Sequence, residues 1–263
     1  MARISVLMGI YNCASTLPEA LDSLYAQTYQ DFKIILCDDG SKDNTYAVAK
    51  QYADKNDNIV LVRNERNMGL NYTLNHCLEY ADTEYCARMD GDDISLPTRF
   101  EKEIKFLDEH PEYAVVSCPM VFFDENGDFL IGRAIEKPLP KDFVKRSPIC
   151  HAPCMVRTEA YKKVGGYTVD RRLLRMEDYH LWMKMYAAGY KAYNLQEPLY
   201  KMRDDQKAYK RRTWNARKNE IYVRHIGYKM LRLPWYYQIY TLRPLIAHFA
   251  PKCFYNIIHR HIY

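Results

Sequence analysis

The chain alternates short apolar runs with segments of helical periodicity through its first 118 residues. Strands that alternate with helices of about 10–15 residues are typical of a parallel sheet covered by helices on both faces. We therefore predict an α/β fold with a doubly wound, mostly parallel sheet. Its strands are predicted at Ile4–Met8, Phe32–Cys37, Ile59–Val62, Tyr85–Met89 and Val115–Cys118. Its helices are predicted after a cap at Ser15 or Thr16 and over Asp43–Lys55, Asn71–Ala81 and Pro97–His110.

Acidic residues follow two of these predicted strands. Asp38 and Asp39 come directly after the second strand, and Asp90 and Asp92 come after the fourth. Ligands of such sheets bind at the carboxyl ends of the strands. Each aspartate alone fits a turn or a helix cap. Carboxylates gathered at one sheet edge, however, repel each other unless a cation lies among them.

The chain lacks the glycine-rich motifs that bind phosphate through a backbone loop. The chain contains neither Gly-x-Gly-x-x-Gly nor Gly-x-x-x-x-Gly-Lys-Ser/Thr. A phosphate ligand at this sheet edge therefore needs a divalent metal, which one or two carboxylates and the phosphate oxygens hold together. The Asp-x-Asp spacing of Asp90 and Asp92 suits that arrangement.

Six segments recur in a characteristic order over about residues 3–205. They are Ser5–Asn12, Gln27–Phe32, Asp38–Ser41 with Asp43, Asn67–Leu70, Asp90–Asp93 and Glu177–Trp182. Together these segments resemble family 2 glycosyltransferases of the GT-A fold. This resemblance implies a nucleotide-sugar half (1–118) and an acceptor half (119–205) within one catalytic domain (1–205).

The resemblance also implies roles for single residues on the donor side. Asp39 would face the nucleotide base, whereas Asp38 would serve the sugar or brace the turn. Asp92, with Asp90, would bind Mn²⁺ or Mg²⁺ on the diphosphate. Arg88 and Arg66 would meet the nucleotide or, alternatively, form a solvated face or an ion pair. The implied nucleotide-binding residues are Ile10, Tyr11, Asn12, Asp38, Asp39, Arg66, Asp90 and Arg203.

The acceptor half begins with a predicted hairpin over Met120–Ile131 and contains the proposed base. Asp178 matches the family's catalytic base and Glu177 its neighbour. An inverting transfer needs one carboxylate to take the proton of the acceptor hydroxyl. The alternative is that both acids only complement the N-terminus of a helix. His151 falls where family members carry an acceptor-side loop, although a lone histidine is more often structural.

Charge is distributed unevenly, because residues 206–263 carry twelve Lys or Arg residues and one acid, Glu220. We predict a basic, aromatic, helical tail. Phe254, Ile258 and Ile262 share one helical face, which favours an anionic membrane surface over packing on protein. The acidic remainder of the chain and the absence of a nucleic-acid motif count against nucleic-acid binding.

Eight cysteines are scattered singly through the chain, which favours free thiols in a reducing compartment. The chain opens on a strand-like run without a secretory leader, and no uncharged apolar run of about 18 residues occurs. We therefore expect a cytoplasmic protein, peripheral on the inner membrane face; its oligomeric state is open.

The expected activity is transfer of a sugar from a nucleotide-sugar, such as a UDP-sugar, to a glycan or lipid-linked acceptor. The alternative is a non-catalytic nucleotide- or glycan-binding module on the same fold.

Overall fold

The computed structural model describes residues 2–204 and 214–245. Its strands, in chain order, are β1 (Ile4–Ile10), β2 (Phe32–Asp38), β3 (Ile59–Arg63), β4 (Tyr85–Arg88), β5 (Ile94–Ser95), β6 (Val115–Ser117), β7 (Met120–Asp124), β8 (Gly127–Ile131), β9 (Met155–Arg157), β10 (Ala192–Asn194) and β11 (Tyr200–Arg203). The helices are α1 (Leu17–Tyr25), α2 (Thr45–Ala53), α3 (Leu70–Glu79), α4 (Arg99–Glu109), α5 (Thr158–Val164), α6 (Glu177–Ala187) and α7 (Trp214–Met230). Short 3-10 segments cover Pro140–Val144, Arg171–Leu173 and Trp235–Leu242.

Seven strands form the main sheet in the order β10-β6-β9-β4-β1-β2-β3. β1 pairs in parallel with both β2 and β4, and β2 pairs in parallel with β3. β9 runs antiparallel to its neighbours β4 and β6. The predicted mostly parallel α/β sheet is therefore confirmed, with one antiparallel strand inserted at its centre.

Side chains of alternate strand residues pack under helices on opposite faces of this sheet. Val6 and Met8 join a core cluster with α1 and α4, whereas Leu7 joins a second cluster with α3, α5 and α6. Complete burial of a leucine or methionine side chain stabilises a fold by about 1.5–3 kcal/mol. The two clusters therefore fix the position of β1, and with it the loop that follows Ile10.

A second sheet of four short strands, in the order β5-β11-β7-β8, lies beside the first. β7 and β8 form the hairpin predicted over Met120–Ile131. β11 pairs with β5, so the chain around Arg203 is held against the segment that follows Asp92. The second sheet thus brings Arg203 to the loop of residues 90–93 that follows β4, which we call the acidic loop.

The starts of α2, α3 and α4 differ from prediction by one or two residues. α2 begins at Thr45 because the Asp43 carboxylate accepts the Thr45 amide hydrogen bond at 2.9 Å. Thr16 precedes α1 as expected, but its hydroxyl donates to the Gly91 carbonyl at 2.9 Å. That bond ties the start of α1 to the acidic loop.

The C-terminal part of the described chain packs on α6 through α7. Gly227 allows this contact, because a Cβ there would lie 2.1 Å from the Met183 sulfur of α6. The boundary of the tail at residue 206 stays a prediction, and Phe254, Ile258 and Ile262 lie outside the described residues. Over residues 2–204 and 214–245, no helix is long and apolar enough to cross a membrane. The seven cysteines of these ranges are free thiols.

Candidate active site

The turn after β2 is built around two buried aspartates. Asp39 accepts hydrogen bonds from the side-chain amide of Asn64 at 2.8 Å and from the backbone N–H groups of Met68 and Gly69 at 2.8 and 3.0 Å. Asp38 lies 2.8 Å from Arg63 Nε, so it braces the turn in this structure, and its contact with the sugar stays a prediction. Asp39 therefore fixes the 64–69 loop, which carries the exposed Arg66.

Gly40 lets that loop lie directly on the turn. Its φ is +68°, and a Cβ there would lie 2.6 Å from the backbone carbonyl carbon of Arg66. Only glycine meets both requirements, since other residues are strained at positive φ and the nearest atoms belong to backbone.

We expect Gly40→Ala to lower both stability and nucleotide affinity. Gly127→Ala is the matched control, because Gly127 also has positive φ (+110°) but faces open space. The control should cost about 1–2 kcal/mol of backbone strain, and Gly40→Ala about 1–3 kcal/mol more from overpacking. Denaturant unfolding and UDP titration measure both effects. Equal losses in the two variants would contradict the proposed contact between the turn and Arg66.

The loop after β1 is joined to the same turn. Asn12, in the left-handed region at φ 49°, accepts the Lys42 amide hydrogen bond through Oδ1 at 2.9 Å. Ile10 is buried, and its carbonyl accepts the Asp39 N–H at 2.9 Å. Tyr11 is exposed. Of the residues implied here for nucleotide contact, Tyr11 and Asn12 therefore reach the surface, whereas the Ile10 side chain belongs to the core.

The acidic loop after β4 is held by arginine from inside the protein. Buried Arg88 donates two hydrogen bonds to the Asp90 carboxylate, at 2.7 and 2.6 Å. Arg88 thus forms an ion pair, and its contact with nucleotide stays a prediction. Asp92 is exposed, and the pKa of its carboxyl is raised by desolvation and by the negative charge of Asp90. Asp93 is buried and accepts the Arg203 amide hydrogen bond at 2.8 Å.

Arg203 lies beside the acidic loop, but its guanidinium has protein partners. Nε donates to the Asp92 carbonyl at 3.0 Å, Nη2 pairs with Glu19, and the group lies 4.5 Å from the Phe123 ring centroid. Arg203 therefore closes the loop onto α1. Its contact with nucleotide stays a prediction.

A buried ion pair supports the acidic loop from below. Arg99 and Glu103 are both fully buried, with Nε 3.2 Å from Oε2. Arg99 also donates to the Arg88 carbonyl at 2.8 Å and lies 5.1 Å from the Tyr200 ring centroid. The Tyr200 hydroxyl accepts the Asp90 N–H at 3.1 Å. This support was missed from sequence, although charged residues four apart on the apolar side of α4 were a visible signal.

The residues present fit a divalent cation that is shared with a diphosphate. Within the described ranges, no group of three or more His, Cys, Asp or Glu residues forms a complete metal site. Asp92, with Asp90 beside it, offers the hard oxygen donors that Mg²⁺ and Mn²⁺ prefer, and substrate phosphate oxygens commonly complete such a shell. The raised pKa of Asp92 is consistent with a carboxylate that gains from a cation.

The proposed base stands at the first turn of α6, after a constrained bend. Arg175 has φ 67°, and Glu177 and Asp178 follow as the first two helical residues. Burial raises the pKa of Asp178, against the opposing effects of the Tyr179 N–H and the charge of Arg88. Burial likewise raises the pKa of Glu177. A carboxylate with a raised pKa is a stronger base.

His151 lies in the same neighbourhood as a neutral, hydrogen-bonded ring. Its Nε2 is 2.7 Å from the Tyr167 hydroxyl, and its ring packs edge-on against Trp182 at 5.8 Å. Burial and the charge of Arg88 lower its pKa well below the usual value. Its contact with an acceptor stays a prediction.

Arg88 is the common neighbour of both halves of the site. It pairs with Asp90, and its charge acts on Asp178, Glu177 and His151. Arg88 thus links the acidic loop electrostatically to the half-buried carboxylates at the start of α6. Carboxylates at the carboxyl edge of a parallel sheet, near a further pair at a helix start, are the arrangement expected of a group-transfer enzyme of the GT-A fold.

Comparisons with known proteins agree with that class. The profile of glycosyl transferase family 2 matches residues 5–165. EpsE of Bacillus subtilis, described as a glycosyltransferase, is 42% identical over 261 residues, which cover 98% of this chain and 93% of EpsE. The chain therefore belongs to glycosyl transferase family 2 and is a glycosyltransferase.

A second relative has a more specific description. The Escherichia coli protein WfaP, described as UDP-Glc:alpha-D-GlcNAc-diphosphoundecaprenol beta-1,3-glucosyltransferase, is 27% identical over 194 residues, or 74% of each chain.

Two solved structures share the fold. Staphylococcus aureus TarS 1–349 in complex with UDP-GlcNAc has a TM-score of 0.73 at 20% identity, covering 93% of this chain and 70% of TarS 1–349. The mannosyltransferase PcManGT of Pyrobaculum calidifontis, in complex with GDP-Man and Mn²⁺, has a TM-score of 0.65 at 19% identity, covering 93% and 74%. These likenesses confirm the GT-A fold.

Proposed function

We propose that this chain transfers a sugar from a UDP-sugar to a lipid-linked glycan, with inversion at the anomeric carbon and with a divalent cation. The observation that carries the proposal is the position of Arg88, which pairs with Asp90 of the acidic loop at 2.6 Å and whose charge also acts on Asp178 at the start of α6. The substrates named in the description of WfaP and the UDP-GlcNAc complex of TarS support the choice of donor and acceptor.

Asp178 acts as the base in this proposal. Its carboxylate takes the proton of the acceptor hydroxyl while that oxygen attacks the anomeric carbon, and the electron pair of the broken bond leaves on the diphosphate. Burial strengthens Asp178 as a base, and Arg88 opposes its protonation. The cation, when bound, offsets the charge of the leaving diphosphate, so no acid is needed on that side. Asp92 and Asp90 would hold it.

The uracil ring of the nucleotide-sugar would lie on the turn that Asp39 organises, between Tyr11 and the exposed Arg66. A lipid-linked acceptor places the enzyme at the inner face of the membrane, in assembly of a cell-surface polysaccharide. Membership of a transferase family, with Asp90, Asp92 and Asp178 all present, favours this activity over a non-catalytic binding module.

Metal removal tests the proposal. With UDP-glucose, UDP-galactose and UDP-GlcNAc as donors and a bacterial lipid-linked saccharide extract as acceptor, we expect EDTA to abolish UDP release and Mn²⁺ to restore it. Asp92→Asn should lower turnover at least about 100-fold. Asp128→Asn is the control, because that partly exposed carboxylate pairs with Lys201 on the second sheet. Full activity in EDTA would contradict the role of the cation.

A further inference from the structure

The 3-10 segment Trp235–Leu242 forms an exposed surface that we call the aromatic ridge. Trp235 is 84% exposed and Ile239 69% exposed, and the ridge also exposes Tyr236, Tyr240 and Leu242. Neighbouring rings of the ridge lie close together, and the ring centroids of Trp235 and Tyr236 are 6.4 Å apart. Single exposed apolar residues are ordinary on protein surfaces, but a contiguous set marks an interaction surface.

The segment of sequence that contains the ridge carries charge of one sign. From residue 221 to the end of the chain at 263 the sequence contains six Lys or Arg residues and no Asp or Glu. Lys229, Arg232 and Arg243 are the exposed cations nearest the ridge in sequence. Aromatic side chains with polar tips, flanked by cations and without carboxylates, match the headgroup region of an anionic bilayer.

The ridge is fixed to the protein on its inner side. Thr241 is buried, the side chains of His225 and Gln238 lie 3.0 Å apart, and Arg243 donates to the Lys145 carbonyl at 2.8 Å. The exposed rings therefore stand on a framed segment with a defined orientation.

That framework reaches the proposed base. The ridge packs on α7, and α7 packs on α6. Asn219 of α7 donates to the Arg171 and Leu174 carbonyls, 3.3 Å each, just before Glu177. If the ridge is held against a bilayer, these contacts therefore also hold the start of α6 at a fixed position relative to the bilayer.

We propose that the aromatic ridge is the membrane-docking surface of this enzyme and inserts its rings between the headgroups of anionic lipids. This inference rests on the proposed lipid-linked acceptor, because docking would present the proposed active site to substrates in the bilayer. Charge complementarity selects an anionic bilayer over a second copy of this chain, whose corresponding surface carries the same positive sign.

The test is flotation of the full chain with vesicles of phosphatidylcholine alone or with 30% phosphatidylglycerol. We expect binding to the anionic vesicles, weakened by 0.5 M NaCl through charge screening. The variant Trp235→Ser/Ile239→Ser should bind at least about tenfold more weakly, since both lost side chains are those most exposed on the ridge. Phe129→Ser/Ile131→Ser is the matched control, because it removes two exposed apolar residues from β8 and should bind normally.

Trp235 also reports its own position. Brominated lipids should quench tryptophan fluorescence in the parent and much less in Trp235→Phe, because Trp182 is buried and Trp214, at 42% exposed, is half as exposed as Trp235 and lies outside the ridge. No binding to either vesicle, equal binding of the two double variants, or conversion of a dimer to a monomer by the ridge variant would overturn the proposal. Mn²⁺-dependent UDP binding in solution should be unchanged in the ridge variant. If the unaltered chain itself did not bind UDP, that result would instead count against the proposed function.

Discussion

Replacing Asp178 by asparagine should lower glycosyl transfer at least about 1,000-fold while nucleotide binding is retained. Asparagine has nearly the same shape but cannot accept the hydroxyl proton, and general base catalysis contributes about 10²–10⁴-fold. Asp178 is half-buried at the start of α6, away from the acidic loop in sequence, so Mn²⁺-dependent UDP affinity should not change. Transfer kinetics and UDP calorimetry on the same preparation separate the two effects.

Glu177→Gln is the matched control for this prediction. The two residues share the first turn of α6, and burial raises the pKa of both. If the acids only complemented the helix N-terminus, the two variants would lose a similar, small amount of stability, about 0.3–1 kcal/mol, and both would stay active. Turnover by Asp178→Asn near that of Glu177→Gln would reject Asp178 as the base.

Replacing Arg88 by methionine should affect both carboxylates on which Arg88 acts, Asp90 in the acidic loop and Asp178 at the start of α6. Asp90 loses both side-chain hydrogen bonds from Arg88, so we expect Mn²⁺-dependent UDP affinity to fall at least about tenfold. Arg88 also opposes the rise in the pKa of Asp178. Without it that pKa rises further, and because the base must be ionised, the acidic limb of the pH–rate profile should move to higher pH.

Arg3→Met controls for the general loss of a paired arginine. Arg3 pairs with Glu84 and Asp108 at distances of 2.6 and 2.8 Å, and it is 37% exposed. It should leave UDP affinity and the pH profile unchanged. An unshifted acidic limb in Arg88→Met, measured on whatever turnover remains, would show that Arg88 does not act on the base.

Much of the fold followed from sequence because its signals are local. The strands β1 to β4 are continuous apolar runs, and the helices between them carry clear periodicity, so the doubly wound sheet could be predicted. β5, β10 and β11 have two to four residues each and leave no periodic signature. Only tertiary pairing creates them, and β11 in particular positions Arg203.

The candidate site was predictable as a set of residues but not as a set of contacts. The acidic turns after β2 and β4 identified Asp39 and Asp92, since the carboxyl ends of parallel strands meet at one edge. Which partner each carboxylate takes depends on the packing of distant segments. The choice of Arg88 for Asp90, and of the 64–69 loop for Asp39, therefore could not be read from the chain alone.

A crystal structure of the full chain with UDP and Mn²⁺ tests the central claim most directly. We predict the uracil on the Asp39 turn, the diphosphate at the acidic loop with Mn²⁺ bound by Asp92, and open space for a sugar between the diphosphate and Asp178. UDP bound elsewhere, or a diphosphate held at this edge without Mn²⁺ and without Asp92, would contradict the account.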